Sequence, residues 1–229
     1  MCGRFTLRSP AADWSQLFLP SMHAEDPGWD DPPRYNIAPT QPIVCILREG
    51  TGGGRQVAKY RWGLVPPWSA DLKIGNRMIN ARSETLDSKP SFKNSFASRR
   101  CLIPIDGYYE WQKRPDGKQP YLIEPANGRV HLVAGLWEEN RKVDAAQPIR
   151  TCTIITTSAN QLTGEVHDRM PVFLEEQDHD RWLDPGYRDV PALKELLHPA
   201  DESLLRMTPV SQYVNSPRSD DERCVAPLE

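Results

Sequence analysis

Proline sets the outer limits of this fold. The chain carries 22 prolines in 229 residues, against a usual share of about 5%. Each proline fixes φ and removes a backbone donor, so helix interiors and central strands are poor hosts for it. That excludes a helical bundle or a long coiled coil and favours short strands, short helices and ordered loops. A chain of 229 residues fits one large domain and buries a core without covalent staples. We expect a single domain over residues 1–229, with a core of about 2–216 and a C-terminal tail at 217–229.

Charge and cysteine narrow the class. The net charge is −3, which excludes a globally basic nucleic-acid coat protein. Yet residues 55–114 hold twelve Lys/Arg against five Asp/Glu, while residues 175–229 hold six against thirteen. A mildly acidic chain thus has a basic middle, which suits either an ordinary solvated face or a surface for a polyanion. The five cysteines, Cys2, Cys45, Cys101, Cys152 and Cys224, are odd in number, scattered and free of any CxxC pair. That pattern is neither a disulfide framework nor a zinc site. No histidine pair has zinc-ligand spacing and no HExxH occurs, so no metal and no cofactor is expected. The N-terminus lacks the apolar stretch of a signal peptide, and the run Ile43-Val44-Cys45-Ile46-Leu47 is too short to span a bilayer. The expectation is a cytoplasmic protein without membrane contact.

Along the chain, residues 2–8 read as a first strand. Ser9-Pro10 reads as a helix start, with Trp14, Leu17 and Phe18 at helical spacing behind it. Residues 20–35, rich in proline, are a loop. Residues 41–48 and a strand ending near Trp62 should form a hairpin across Thr51-Gly52-Gly53-Gly54. Residues 63–79 are irregular around Pro66-Pro67, and 90–98 form a short helix. Residues 100–111 read as a strand interrupted at Pro104 and Gly107. Residues 119–124 and 130–137 are expected to pair as a second hairpin around Asn127-Gly128. Residues 151–158, rich in Thr and Ile, give the strongest strand signal. Helices are expected at 175–183 and 190–198, and an extended tail from Met207. The fold class is α+β: mostly antiparallel strands curled into a barrel-like sheet, with short flanking helices.

Several residues carry chemistry. Cys2 has a small side chain, so removal of Met1 is expected to leave it with a free α-amine. A terminal cysteine then presents an amine and a thiol two carbons apart, with reference pKa values of about 7.7–8.0 and 8.5. Such a 1,2-aminothiol condenses with an aldehyde: the amine makes an imine and the thiol closes a five-membered thiazolidine. The same group also suits nucleophilic hydrolysis. Glu110, between Tyr109 and Trp111, is a carboxyl group on a buried strand and a candidate acid or base. His167, in Val166-His167-Asp168-Arg169-Met170-Pro171, is a candidate proton shuttle. The amide of Asn80 orients a nucleophile or holds a sugar oxygen. Arg4, Arg82 and Arg169 are candidate phosphate contacts, and Trp62 and Trp68 are candidate base-stacking surfaces. Each of these residues, taken alone, is also compatible with packing or solvation. No GxGxxG, P-loop or GxSxG motif is present.

Together the motifs resemble one family. Met1-Cys2-Gly3-Arg4-Phe5 is similar to the opening of the SRAP proteins, which process abasic sites. In order follow Arg34-Tyr35-Asn36-Ile37-Ala38-Pro39, Arg61-Trp62-Gly63-Leu64-Val65-Pro66-Pro67-Trp68 and Ile79-Asn80-Ala81-Arg82-Ser83-Glu84-Thr85. Then come Cys101-Leu102-Ile103-Pro104-Ile105-Asp106-Gly107-Tyr108-Tyr109-Glu110-Trp111 and His167-Asp168-Arg169-Met170-Pro171, with Pro209-Val210-Ser211 and Val214-Asn215 near the end. The resemblance implies recognition of abasic sites in single-stranded DNA, in the cytoplasm and on damaged nucleoid DNA, and covalent crosslinking through Cys2. By motif, Cys2 joins the deoxyribose C1′ and Asn80 positions the amine and the opened sugar. Glu110 moves protons during ring opening and imine formation; His167 serves the sugar hydroxyl and crosslink reversal. Arg4, Arg82 and Arg169 hold phosphates, with Trp68 at a flanking base. A monomer is expected. The family is also linked to proteolytic release of its own first residue, so a thiol peptidase using Cys2 is the rival enzyme. A non-catalytic single-strand-binding module is the rival from another class.

Overall fold

The computed structural model describes residues 2–12, 31–48, 50 and 53–228. The helix expected at Trp14, Leu17 and Phe18 lies outside the described residues. Two sheets dominate. The larger is built from β3 (Pro42–Arg48), β4 (Arg55–Trp62), β6 (Arg100–Ile105), β9 (His131–Asn140) and β10 (Ile149–Ser158). These pair in the ring β10-β4-β3-β6-β9, and β9 pairs back onto β10, so the ring closes as a five-stranded barrel. Closure removes the open edges that a flat sheet would present. Two short strands, β5 (Asn80–Arg82) and β11 (Arg169–Pro171), extend the far half of β10. The smaller sheet runs β12 (Leu205–Pro209), β8 (Gly117–Pro125), β7 (Gly107–Arg114), β1 (Phe5–Leu7), β2 (Arg34–Ile37). Its pairings are all antiparallel; β10 takes β4 and β5 in parallel. Among the described residues, four short α-helices with both ends defined flank the sheets: α1 (Lys93–Ser98), α2 (Gln161–Gly164), α3 (His179–Leu183) and α4 (Val190–Glu195).

Alternation along the strands sorts the core into two main clusters, as period-2 side-chain placement requires. Val44, Ile46, Leu102 and Leu136 join Phe96, Trp182 and Leu193 of the helical flank. Ile43, Cys45, Leu47, Ile103 and Cys152 join Phe5 and Tyr108 of the second sheet. Each fully buried Leu, Ile or Phe contributes about 1.5–3 kcal/mol. The second cluster therefore welds the small sheet, and with it the N-terminal strand, onto the barrel.

Two sequence expectations are corrected. Residues 119–124 and 130–137 do not pair with each other. The Asn127-Gly128 turn does form, with Gly128 at φ 68° and its N–H bonded to the Pro125 carbonyl at 3.0 Å. It carries the chain from one sheet to the other: β8 pairs with β7 and β12, while β9 pairs with β6 and β10. Turn chemistry sets a reversal but not the partner. The strand expected over 100–111 is two strands in different sheets. Its break falls at Asp106, while Pro104 stays inside β6 opposite Leu132.

Asp106 is the corner that seats the N-terminus. One carboxylate oxygen accepts from the backbone N–H groups of Arg8 (2.5 Å) and Ser9 (2.9 Å), and the other accepts from the Ser9 hydroxyl. The register Phe5↔Tyr108 and Thr6↔Gly107 follows, and the Tyr109 N–H donates to the Arg4 carbonyl at 2.9 Å. Beyond that pairing the chain runs back to Cys2, whose thiol lies close enough to the Glu110 carboxylate to feel its charge.

Candidate active site

Cys2, Asn80 and Glu110 come together from three parts of the chain, and the loop that leads into His167 packs on the same cluster. Cys2 is 1% exposed and packs in the cluster of Phe5, Trp62, Tyr108 and Met170. Burial, reinforced by the Glu110 carboxylate, pushes its thiol well above the usual range. Asn80 arrives on β5, which lies parallel to β10 in the register Ile154↔Asn80. Its amide nitrogen donates to the Cys2 carbonyl at 2.7 Å. The amide oxygen is buried without a hydrogen-bond partner among the described residues. One end of Asn80 thus fixes the Cys2 backbone and leaves an acceptor beside it. A buried acceptor at that place fits an N–H donor.

Glu110 is 4% exposed and shares a face of β7 with Tyr108 and Gln112. The Gln112 amide donates to the Glu165 carbonyl at 3.1 Å, which draws the loop after α2 over this end of β7. Leu162 and Val166 of the same loop pack on the Cys2 cluster. His167 follows directly. Its Nδ1 lies 3.0 Å from the Arg169 backbone nitrogen, whose N–H it faces. Asp168 also approaches Nδ1, at 2.8 Å, but its side chain is 87% exposed, so water competes for the contact.

The phosphate candidates divide. Arg82 is exposed. Arg169 is locked: its guanidinium meets both carboxylate oxygens of Glu84 at 2.5 and 2.9 Å and the Thr156 carbonyl at 2.6 Å. That pairing holds the Glu84 carboxyl below the usual range. Arg4 donates to the Asn36 side-chain oxygen (2.9 Å) and the carbonyls of Val214 (3.0 Å) and Asn215 (3.3 Å), with Trp111 under the guanidinium at 5.9 Å. Trp68 is 51% exposed, whereas Trp62 is fully buried, its indole N–H bonded to the Ile79 carbonyl.

Sequence reasoning missed Asn36 as a side chain with a task. It is fully buried, and its amide donates to the carbonyls of Val214, Ser216 and Ser219. Asp220 caps the same corner, accepting from the N–H groups of Tyr35 and Asn36. A strap at residues 211–221 is thereby tied across β2 to Arg4. Nothing local in Tyr35-Asn36-Ile37 announces a partner nearly 180 residues away.

The sequence matches the SOS response associated peptidase (SRAP) family over residues 1–217. The chain belongs to the SRAP family. Abasic site processing protein YoqW of Bacillus subtilis is 41% identical over 226 residues, covering 98% of this chain and 99% of that protein. Abasic site processing protein HMCES of Gallus gallus is 31% identical over 228 residues, covering 86% of this chain and 67% of that protein. Among solved structures, a protein from Bacteroides thetaiotaomicron superposes with a TM-score of 0.85 at 24% identity, over 100% of both chains. The barrel with its packed sheet is therefore a fold shared with that structure. Among the described residues no helix is long and apolar enough to cross a membrane.

Proposed function

We propose that this SRAP chain processes abasic sites in single-stranded DNA by joining the opened sugar to Cys2 as a thiazolidine. The observation that supports it most is the Cys2–Asn80 contact: the amide of Asn80 binds the Cys2 carbonyl at 2.7 Å and keeps a buried acceptor free beside it. The reading requires that Met1 has been removed, since an amide nitrogen forms no imine.

The chemistry balances without an oxidant. An abasic deoxyribose rests mostly as a closed hemiacetal. Glu110 takes the hemiacetal proton and returns one to the ring oxygen, exposing the C1′ aldehyde. The Cys2 amine, oriented by Asn80, adds to C1′, and water leaves to give the imine. The thiol then adds to the imine carbon, its proton passing to nitrogen, so the net change is loss of one water. His167 Nε2 serves the sugar hydroxyl and, in reverse, ring reopening. Arg82 grips a phosphate beside the lesion and Trp68 takes a flanking base. Arg4 and Arg169 lend charge from fixed frames.

The family's peptidase description supports a second reading, in which Cys2 acts as a thiol nucleophile on a peptide bond. The buried thiol, held protonated, favours the aminothiol route, where the amine attacks first. A denaturing gel with abasic single-stranded DNA tests the proposal. A heat-stable adduct that requires Cys2 supports it; intact binding without an adduct leaves only a binding module, and cleavage of peptides in trans would replace it with the peptidase.

A further inference from the structure

β7 carries two tyrosines side by side, and their hydroxyls have different fates. Successive residues of a strand face opposite ways. Tyr109 packs with Val210, Val214 and Cys224, and its hydroxyl donates to the Tyr35 carbonyl at 2.7 Å. The fold uses that oxygen. Tyr108 packs with Cys2, Phe5 and Met170, its ring 6.4 Å from that of Phe173. Tyr108 is fully buried, and its hydroxyl has no hydrogen-bond partner among the described residues. The nearby Thr163 hydroxyl already donates to the Asn160 side-chain oxygen at 2.9 Å. A buried polar group left unbonded costs stability that a phenylalanine would avoid.

The neighbours of this hydroxyl are the reacting groups. It lies close enough to the Cys2 thiol and the Glu110 carboxylate to feel their charges. Glu110 stands two residues further along the same face of β7. The Cys2 thiol faces the Arg4 carbonyl at 3.9 Å, so the sulfur lone pairs are open to a donor. Burial pushes the ionisation of Tyr108 well above the usual tyrosine range. The phenol therefore keeps its proton and is a donor, not a base. A neutral thiol accepts hydrogen bonds weakly. A sulfur gathering negative charge accepts them well, because charge-assisted bonds are roughly twice as strong. Sulfur gathers charge at one step only, when the thiol gives up its proton and closes onto the imine carbon. Addition of the amine to C1′ leaves the sulfur unchanged.

We propose that Tyr108 is a positioning residue for ring closure: its hydroxyl donates to the Cys2 sulfur as the thiol gives up its proton, and steadies that sulfur against the imine carbon. The S–C1′ bond forms as the π bond of the imine is spent, the thiol proton goes to nitrogen, and Tyr108 ends with the O–H it began with. This rests on the reading of Cys2 as the abasic-site nucleophile, and adds a residue that acts on the second of its two steps.

The test is a single-turnover time course on abasic single-stranded DNA, each sample quenched with and without borohydride. Borohydride traps the imine, and adduct that survives without it counts the closed ring. Tyr108→Phe should form total trapped adduct at the wild-type rate. It should pass from imine to closed ring about ten- to a hundredfold more slowly, the range of a hydrogen bond to a charged group. Its urea midpoint should hold or rise, since the lost hydroxyl was unbonded. Tyr109→Phe is the control: its midpoint should fall, and its passage from imine to ring should match the wild type. A Tyr108→Phe protein that closes the ring at the wild-type rate overturns the proposal. So does one whose midpoint falls and whose imine and ring both form slowly, since the hydroxyl would then be a structural one. If the wild type yields neither imine nor stable adduct, the reading of Cys2 fails and the proposal with it. If the wild type yields both and Tyr108→Phe partitions them as the wild type does, the reading of Cys2 stands and the role of Tyr108 alone fails.

Discussion

At the scale of single residues, the site separates three jobs that one loss-of-function result would merge. Cys2→Ala keeps an amine but has no thiol to close the ring. It should give only an imine, trapped by borohydride on a denaturing gel, and no stable adduct. A borohydride-independent adduct at the wild-type rate would mean another nucleophile does the chemistry. Glu110→Gln keeps the shape and loses the proton exchange, so single-turnover crosslinking should slow by about 10²–10⁴ with the same final product. His167→Ala should affect reversal more than formation, read by chasing the adduct with excess unlabelled DNA. Burial also makes a pH prediction. Cys2, Cys101 and Cys152 are all pushed above the usual thiol range by burial. Folding then favours the neutral thiols. Their contribution is fully present below the unfolded pKa of about 8.5 and is lost as pH rises above it, where the unfolded chain sheds protons that the folded one keeps. The urea midpoint should therefore fall between pH 8 and 10, and iodoacetamide should label these cysteines slowly until the protein unfolds.

At the scale of elements, what matters is which pieces hold the N-terminal strand. The strap at 211–221 reaches Arg4 through Asn36, so Arg4 and Arg82 should respond differently to mutation although both are arginines near one site. Arg82→Ala should make the salt slope for single-stranded DNA shallower by about 0.7, one phosphate contact. Arg4→Ala should barely change that slope but lower the crosslinking rate at saturating DNA, because Cys2 loses its brace two residues away. Equal slope changes in the two variants would show Arg4 to be a phosphate contact instead. The same elements show what was legible in the sequence. The strand at 151–158 is unmistakable from Thr and Ile, and the β3–β4 hairpin from its glycines. Cys2, Asn80 and Glu110 are legible through their motifs, since short motifs carry local chemistry. The partner of β8 is not, because Asn127-Gly128 fixes only a change of direction. Arg4 bonded to a strap 210 residues on, and Arg169 bonded to Glu84, are pairings between distant segments, and no local pattern encodes them.

At the scale of the whole molecule, the site depends on the barrel having one arrangement. Arg100 is where this is most exposed to test. It opens β6 and is 3% exposed. Its guanidinium donates to the carbonyls of Phe96 and Ala97 at the end of α1, of Trp182 in α3, and of Asp184 and Tyr187 beyond it. One cation thus terminates two helices and joins them to the barrel, and burial lowers its pKa to about 10. Arg100→Met keeps most of the volume but strands several buried carbonyls. By analogy with breaking a buried charged network it should cost about 3–5 kcal/mol, a large share of the roughly 5–15 kcal/mol that a protein of this kind has. The two core clusters share the strands of one closed ring, so the loss should not stay local. Tryptophan fluorescence and far-ultraviolet circular dichroism should shift together, as one transition moved to lower urea. Arg100 touches none of the reacting groups. The fraction that remains folded at low temperature should therefore crosslink abasic DNA at the wild-type rate per folded molecule. Two separated transitions would mean that the helical flank melts independently of the barrel. A slowed rate in fully folded protein would mean that the flank reaches the site through β6, β9 and β10, the strands that carry Asn80 and the His167 loop on their far edge.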